Sequence, residues 1–376
     1  MNFCKKQNTI VSFLKIKIIF LLFLVITIWQ NNCLAGHKIK LGLMTLRQQD
    51  DAFFSLLVDF TRAACENLDM DLYTIYGNNS TSYISENIDS ILEKNKIDAM
   101  MILNYQDKIN EIAEKLESNK IPFFVYNSGF GFNNKKFLKS KYKFFLGEML
   151  PTDEYAGYFL GKTLIDNSQP NGKGEYHLIS LAGAVADEAS IKRITGLNNF
   201  IKQSKKKIII DKIFYLNWQR DEAAKIMKNE VSKMNHLSAI WAASDELALG
   251  ALESLDTKAK SILIGGIDWS FEGVKAVSEN KLFATVGGHF MDGAWISVLL
   301  HDYFHGIDIF DGNNNFLNSW MSLIRKNNSD KYLNFYNNRK KWKKIDFKKL
   351  SKVYNSRLKH YDFSEKNILP LIFPKD

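Results

Sequence analysis

Ala239-Ile240-Trp241-Ala242-Ala243-Ser244-Asp245-Glu246-Leu247-Ala248-Leu249-Gly250-Ala251-Leu252-Glu253-Ser254-Leu255 sets out the plan of the whole chain. Its first five residues are apolar without alternation, as in a strand covered on both faces. Ser244 and Asp245 are of the kind that caps a helix. From Glu246 the apolar residues return at helical spacing. The stretch reads as strand, turn, helix.

The same unit recurs on both sides. Strands are expected at Ile39–Thr45, Leu72–Tyr76, Ala99–Leu103, Pro122–Tyr126, His177–Leu181, Ile208–Tyr215, Ala239–Ala243, Ile262–Ile267 and Phe283–Val286. Helical periods fall at Ala52–Leu68, Ile84–Glu93, Ile109–Leu116, Tyr155–Ile165, Ala189–Ile201, Glu222–Ser232, Glu246–Leu255 and Phe271–Val277. Strict alternation of this kind gives parallel sheets with helices on both faces, an α/β fold. Gly129–Lys143 and Asn167–Gly174 read as exposed loops. About four β-α steps in each half suggest two similar lobes.

The N-terminus reads differently. Lys5, Lys6, Lys15 and Lys17 precede the apolar run Ile18–Ile28, and Cys33 and Ala35 close a small-x-small end. Residues 1–35 are expected to be a secretory signal peptide, since a run of 11 residues falls short of the ~20 that span a bilayer. An uncleaved anchor is the competing reading. Asn31 and Asn32 before Cys33 argue against lipidation. The remaining 341 residues exceed one ordinary core and fit two lobes. The four leader lysines account for part of the +9 charge and leave +5. That excess is concentrated at Lys331–Tyr361, with eleven Lys/Arg against Asp346. Cys65 alone remains outside the leader, so no internal disulfide is possible; it reads as a small core residue.

In open α/β sheets ligands bind at the carboxyl ends of the strands. Asp51, Phe53 and Phe54 follow the first strand, and Asn127 and Ser128 the fourth. Trp218, Ser244-Asp245, Asp268-Trp269 and Gly287-Gly288-His289 follow later strands. Carboxylates, amides and aromatics in these places suit a polyhydroxylated small molecule, whose C–H faces stack on rings and whose hydroxyls meet Asp and Asn. Asp51, Ser244 and Asp245 could equally be helix caps, and Trp218 and Trp269 packing residues.

These residues resemble the type I periplasmic binding proteins, particularly the sugar-binding group, from about Lys38 to Ile324. Asp51-Ala52-Phe53-Phe54 is similar to that family's Asn-Pro-Phe-Phe. Ile121-Pro122-Phe123-Phe124-Val125-Tyr126-Asn127 resembles its Ile-Pro-Val strand, which ends in a ligand-binding Asp. Arg193-Ile194-Thr195-Gly196-Leu197 resembles Arg-x-x-Gly-Phe, and Trp218-Gln219-Arg220 the Asp-Trp-Asp-Arg turn. Ala243–Leu252, Gly265-Gly266-Ile267-Asp268 and Asn280–Val286 resemble Asn-Asp-x-x-Ala-x-Gly-Ala, Val-Gly-Phe-Asp and Gly-Lys-Leu-x-Ala-Thr. The order and spacing of the matches carry the resemblance.

The resemblance implies two Rossmann-like lobes with parallel sheets, joined by a three-strand hinge and closing on ligand. It places 37–150 plus 290–310 in the N-terminal lobe and 151–289 plus 317–376 in the C-terminal lobe. Crossings are expected near Leu150–Asp153, Gly288–Phe290 and Ile307–Asn318, with Leu317–Ile324 as the alternative for the last. The implied ligand residues are Asp51, Phe53, Phe54, Asn127, Trp218, Ser244, Asp268, Trp269 and His289, with Arg193 as an internal brace. Departures bear on ligand identity: Asn127 stands for a usual Asp, Ser128 and Ile191 for frequent Arg, and Ser244 for an Asn. Lost charge-assisted bonds of roughly 1.5–3 kcal/mol each point away from ribose or glucose, and Trp218, Trp269 and His289 toward a larger or more apolar ligand, or a modified sugar.

The basic tail, with Arg339-Lys340-Lys341-Trp342-Lys343-Lys344 and the periodic Phe347, Leu350, Val353 and Tyr354, reads as a solvated helix on the second lobe or a docking surface for anionic lipid or a membrane partner. Enzyme motifs are thin. His301-Asp302-x-x-His305 has zinc-helix spacing, but Gly306 follows, so a helix terminus is the expected reading. A signal peptide stands where a DNA-binding helix-turn-helix would be. The chain is therefore expected to be a monomeric exported binding protein, not an enzyme, without cofactor, metal or nucleic-acid partner. It would capture a sugar or sugar-like ligand for the permease of an ABC importer or for a receptor ectodomain.

Overall fold

The computed structural model describes residues 38–94, 96–105, 108–131, 135–233, 236–255, 261–310 and 315–373. The expected signal peptide lies outside them. Among the described residues, no helix is long and apolar enough to cross a membrane.

The first lobe runs β1 (Lys40–Thr45), α1 (Ala52–Asn67), β2 (Asp71–Tyr76), α2 (Thr81–Glu93), β3 (Ala99–Ile102), α3 (Ile109–Ser118), β4 (Phe123–Tyr126), α4 (Lys135–Lys141) and β5 (Phe145–Pro151). The second runs α5 (Asp153–Asn167), β6 (Glu175–Ala182), α6 (Glu188–Gln203), β7 (Lys207–Tyr215), α7 (Arg220–Glu230), β8 (Ala239–Ala242), α8 (Asp245–Glu253), β9 (Leu263–Asp268), α9 (Phe271–Ser278) and β10 (Ala284–Gly287). Helix α10 (Asp292–Phe304) then returns to pack on α1. Strand β11 (Phe316–Ser319) completes the first sheet and β12 (Ser322–Arg325) the second. The tail carries α11 (Ser329–Asn337), two short 3-10 turns and α12 (Glu365–Ile372).

The sheets have matching orders, β11-β5-β4-β3-β1-β2 and β12-β10-β9-β8-β6-β7. The first is parallel throughout its described pairings; in the second, β12 runs antiparallel to β10. The two lobes therefore share one topology except for the direction of that edge strand. Local sequence explains the elements. Strands β3 and β8 are buried along their full length, as sheets covered on both faces require. Helix α3 buries Ile109, Ile112, Ala113 and Leu116, the i, i+3, i+4, i+7 stripe of an amphipathic helix. Asp51, Ser80, Ser244 and Ser270 each accept a backbone N–H at a helix start, a cap worth about 1 kcal/mol.

Three connections pass between the sheets, at Pro151–Asp153, Gly287–His289 and Ser319–Ser322. The last lies beyond Ile307–Asn318 and within the alternative, Leu317–Ile324. Residues 317–319, assigned from sequence to the second lobe, pair with Met149–Pro151 of β5 in the first. Two further differences are local. Residues 135–141, expected to be loop, form α4, and β5 had no sequence assignment. His301 occupies the last turn of α10 and His305 its C-cap, with Gly306 at φ 78°. Among the described residues no group of three or more His, Cys, Asp or Glu could hold a metal. Cys65 is buried against Ser297, its thiol pushed up to about 12 by burial.

Candidate ligand-binding cleft

The carboxyl ends of both sheets supply the site, and Arg193 organises it. Helices α5 and α6 pack backbone against backbone. A Cβ on Gly157 would lie 1.9 Å from Arg193 O, and one on Gly196 1.9 Å from Glu154 O. That approach sets Arg193, 3 % exposed, beside the start of α5. Its Nε donates to Asp153 Oδ1 at 2.7 Å, and Nη1 donates to Ala243 O at 2.7 Å and Asp268 Oδ1 at 3.1 Å. Nη2 lies 3.4 Å from His289 Nε2. Because Nη2 can only donate, Nε2 accepts and the imidazole proton sits on Nδ1, which has no hydrogen-bond partner. Burial, and then the charge of Arg193, hold the His289 pKa well below its ordinary value, so the ring is neutral. Burial raises Asp153 and Asp268 above the usual carboxylate range, against the pull of Arg193. Arg193 thus ties the ends of β8 and β9 to the first and second crossings.

The walls come from both lobes. On the first, Asp51 Oδ1 accepts from Phe53 N and Phe54 N at 3.0 and 2.9 Å, which fixes the start of α1. Phe53, half-buried, stacks on His289 with ring centroids 4.6 Å apart and planes at 30°. Phe54 is buried behind it, edge-on at 5.3 Å. Asn127, at φ 61°, begins the turn after β4, and Gly129 N–H in that turn donates to Glu188 Oε2 of the second lobe at 3.0 Å. On the second lobe, Trp218 Nε1 donates to Asp187 Oδ2 at 2.6 Å, and the Arg193 guanidinium lies 5.7 Å from its ring. The ring rests on Gly183, where a Cβ would come within 2.1 Å of it.

The structure therefore brings Phe53, His289, Asp268 and Trp218 together through Arg193. The other expected residues stand apart from that chain of contacts. Ser244 is buried and caps α8 through Leu247 N. Trp269 is 1 % exposed, donates to Ser322 O at 2.9 Å and packs on Tyr332 at 4.7 Å, facing the third crossing and the tail. Asp245 is internal. It accepts from Ser270 N and Thr285 Oγ1, both at 2.7 Å, and burial raises its pKa to about 7. Sequence reasoning passed over Asp153, Asp187 and Glu188. The last two close the turn after β6, and the strand-end rule applied to that strand would have found them. A separate cavity of about 370 Å³ lies wholly on the first lobe, lined by Met44, Thr81, Ser82, Ser85, Tyr105 and Lys108 among others. None of the residues gathered by Arg193 lines it.

Residues 41–292 match the model of the periplasmic binding protein domain. Curated relatives include the ribose import binding protein of Haemophilus influenzae, 23% identical over 68% of this chain and 81% of that protein. A xylitol-binding protein of Mycolicibacterium smegmatis is 25% identical over 55% of this chain and 56% of its own length. Among solved structures, a periplasmic sugar-binding protein from Pseudomonas fluorescens superposes with a TM-score of 0.77 at 22% identity, covering 89% of this chain and 99% of that one. A solute-binding protein from Actinobacillus succinogenes with bound D-allose gives 0.67 at 17% identity, over 78% and 100%. The two six-stranded sheets and their shared topology are those of the type I fold. The chain belongs to the periplasmic binding protein family, and it is a solute-binding protein, not an enzyme.

Proposed function

We propose that this protein is exported and captures a carbohydrate between its lobes for the permease of an ABC importer. Phe53 and Trp218 would stack on the C–H faces of the sugar, and Asp51, Asn127, Asp268 and His289 would meet its hydroxyls. Phe54, Ser244 and Trp269 would support these groups from behind. The observation that carries the reading is the convergence on Arg193 of groups from the ends of five strands, β5, β7, β8, β9 and β10, with Phe53 of the opposite lobe stacked on His289. Relatives named for ribose and xylitol, and a fold neighbour holding D-allose, support a polyhydroxylated ligand.

A thermal-shift screen with D-ribose, D-allose, xylitol and myo-inositol tests it. Ligand at 100 times Kd stabilises a protein by about 2.7 kcal/mol, which at roughly 2–4 °C per kcal/mol is a shift of about 5–10 °C. For the sugar that binds, Asp268→Asn and Trp218→Ala should each weaken affinity roughly tenfold or more, the worth of one charge-assisted bond or one stacking ring. Unchanged affinity in both variants places the ligand elsewhere.

A further inference from the structure

The chain does not end with its third crossing. Helix α11 packs on the second lobe, where Tyr332 lies 4.7 Å from Trp269 and Tyr336 Oη donates to Trp269 O at 2.6 Å. Trp269 follows Asp268 directly, and both have positive φ, 60° and 130°. The carbonyl held by Tyr336 therefore belongs to the turn that presents Asp268 to Arg193. Beyond α11 the tail moves to the first lobe. Trp342, 2 % exposed, and Phe347, fully buried, close edge-on around Phe60 of α1 at 5.3 and 5.5 Å. Arg339 pairs with Asp59 at 3.0 Å and Lys343 with Glu66 at 2.9 Å, both on α1. Farther on, Ser351 and Tyr361 donate to Asp302 of α10 at 2.5 and 2.7 Å.

The two anchors lie on the elements that carry opposite walls of the cleft: α1 holds Phe53 in its first turn, and β9 ends at Asp268. We infer that residues 329–350 form a strap across the waist, in which Tyr336 positions the Asp268–Trp269 turn and Trp342 with Phe347 fixes it to α1, so that the strap limits how far the lobes part. Separation of the lobes must either strip the rings from Phe60 or pull on the turn. The basic run is accordingly part of the joint: two of its cations are spent on α1, and its buried aromatics hold the rest of the segment in place.

The inference rests on the reading above only in supposing that the lobes open about the cleft, so its test uses no ligand. The purified protein, Tyr336→Phe and the double variant Arg339→Glu/Lys343→Glu are compared by small-angle scattering and hydrogen exchange. The strap predicts a larger radius of gyration for the double variant. It also predicts about tenfold faster exchange at residues 268–270 in Tyr336→Phe, the factor set by one lost hydrogen bond, with Leu41–Leu43 and Ile240–Ala242 unchanged. Should the double variant fail to fold, Tyr336→Phe alone decides. Scattering and exchange like those of the parent overturn the strap, as does a uniform rise in exchange over both sheets, which marks a tail that merely stabilises. Absence of sugar binding with these shifts present would sink the proposed function and leave the strap standing.

Discussion

Replacing Arg193 by Met keeps most of its volume and removes the charge on which the second lobe is braced. Four groups lose a partner: Asp153 Oδ1 at 2.7 Å, Ala243 O at 2.7 Å, Asp268 Oδ1 at 3.1 Å and, more weakly, His289 Nε2 at 3.4 Å. Asp153 is 3 % exposed and the Asp268 side chain 14 %, so water cannot replace the guanidinium well. Breaking a buried pair from one side costs about 3–5 kcal/mol. At roughly 2–4 °C per kcal/mol the melting temperature should fall by about 6–20 °C at neutral pH.

The sign of the pH dependence follows. Burial already raises both carboxylates and Arg193 lowers them, so the variant moves both pKa values further up. A native carboxyl with a raised pKa holds a proton that the unfolded chain releases, and stability therefore falls as pH rises through that window. The deficit of Arg193→Met should be largest at pH 8 and shrink on acidification, as protonation relieves the unpaired charges. Urea titrations at pH 5 and pH 8 measure it. A deficit under about 1 kcal/mol at pH 8, or one that grows toward pH 5, contradicts the brace.

Asp292, 1 % exposed at the start of α10, has no well-formed hydrogen bond to either carboxylate oxygen, and burial raises its pKa well above the ordinary value against the weaker opposing pull of the Ser319 hydroxyl. Asp292→Asn should therefore gain about 1–3 kcal/mol at pH 8 and much less at pH 4, where the native acid is already neutral; calorimetry at the two pH values checks the difference, and a variant less stable than the parent at pH 8 refutes it. Gly183→Ala places a Cβ 2.1 Å from the Trp218 ring, so the ring must leave its seat. Sugar affinity should drop about as far as in Trp218→Ala, by isothermal titration, and parent-like affinity would separate Trp218 from the ligand.

The fold was legible wherever a strand is buried on both faces. β3, β4 and β8 are unbroken apolar runs, and their burial is complete. β5 escaped because Phe145–Pro151 alternates buried and half-buried residues and contains Gly147 and Glu148. The third crossing stayed open between Ile307–Asn318 and Leu317–Ile324 because its position depends on pairing with a strand some 170 residues earlier, as in Asn318 opposite Leu150. Which residue types stand at the strand ends could be read from the sequence, but which of them turn inward to pack could not. Whether Trp269 faces ligand or core is decided by Tyr332 and Ser322, more than fifty residues away. Arg193 could be read as a brace from its place in the Arg-x-x-Gly motif, whereas its partner Asp153 carried no signal of its own.

The account stands on a sugar held between Phe53 of one lobe and Trp218 and Asp268 of the other. A crystal structure of the protein with the best carbohydrate from the screen addresses that directly. Density for the sugar between those rings, with the Asp268 carboxylate within hydrogen-bonding distance of a hydroxyl, is the predicted result. Density in the first-lobe cavity beside Tyr105 and Lys108, with the space between Phe53 and Trp218 empty, would contradict it.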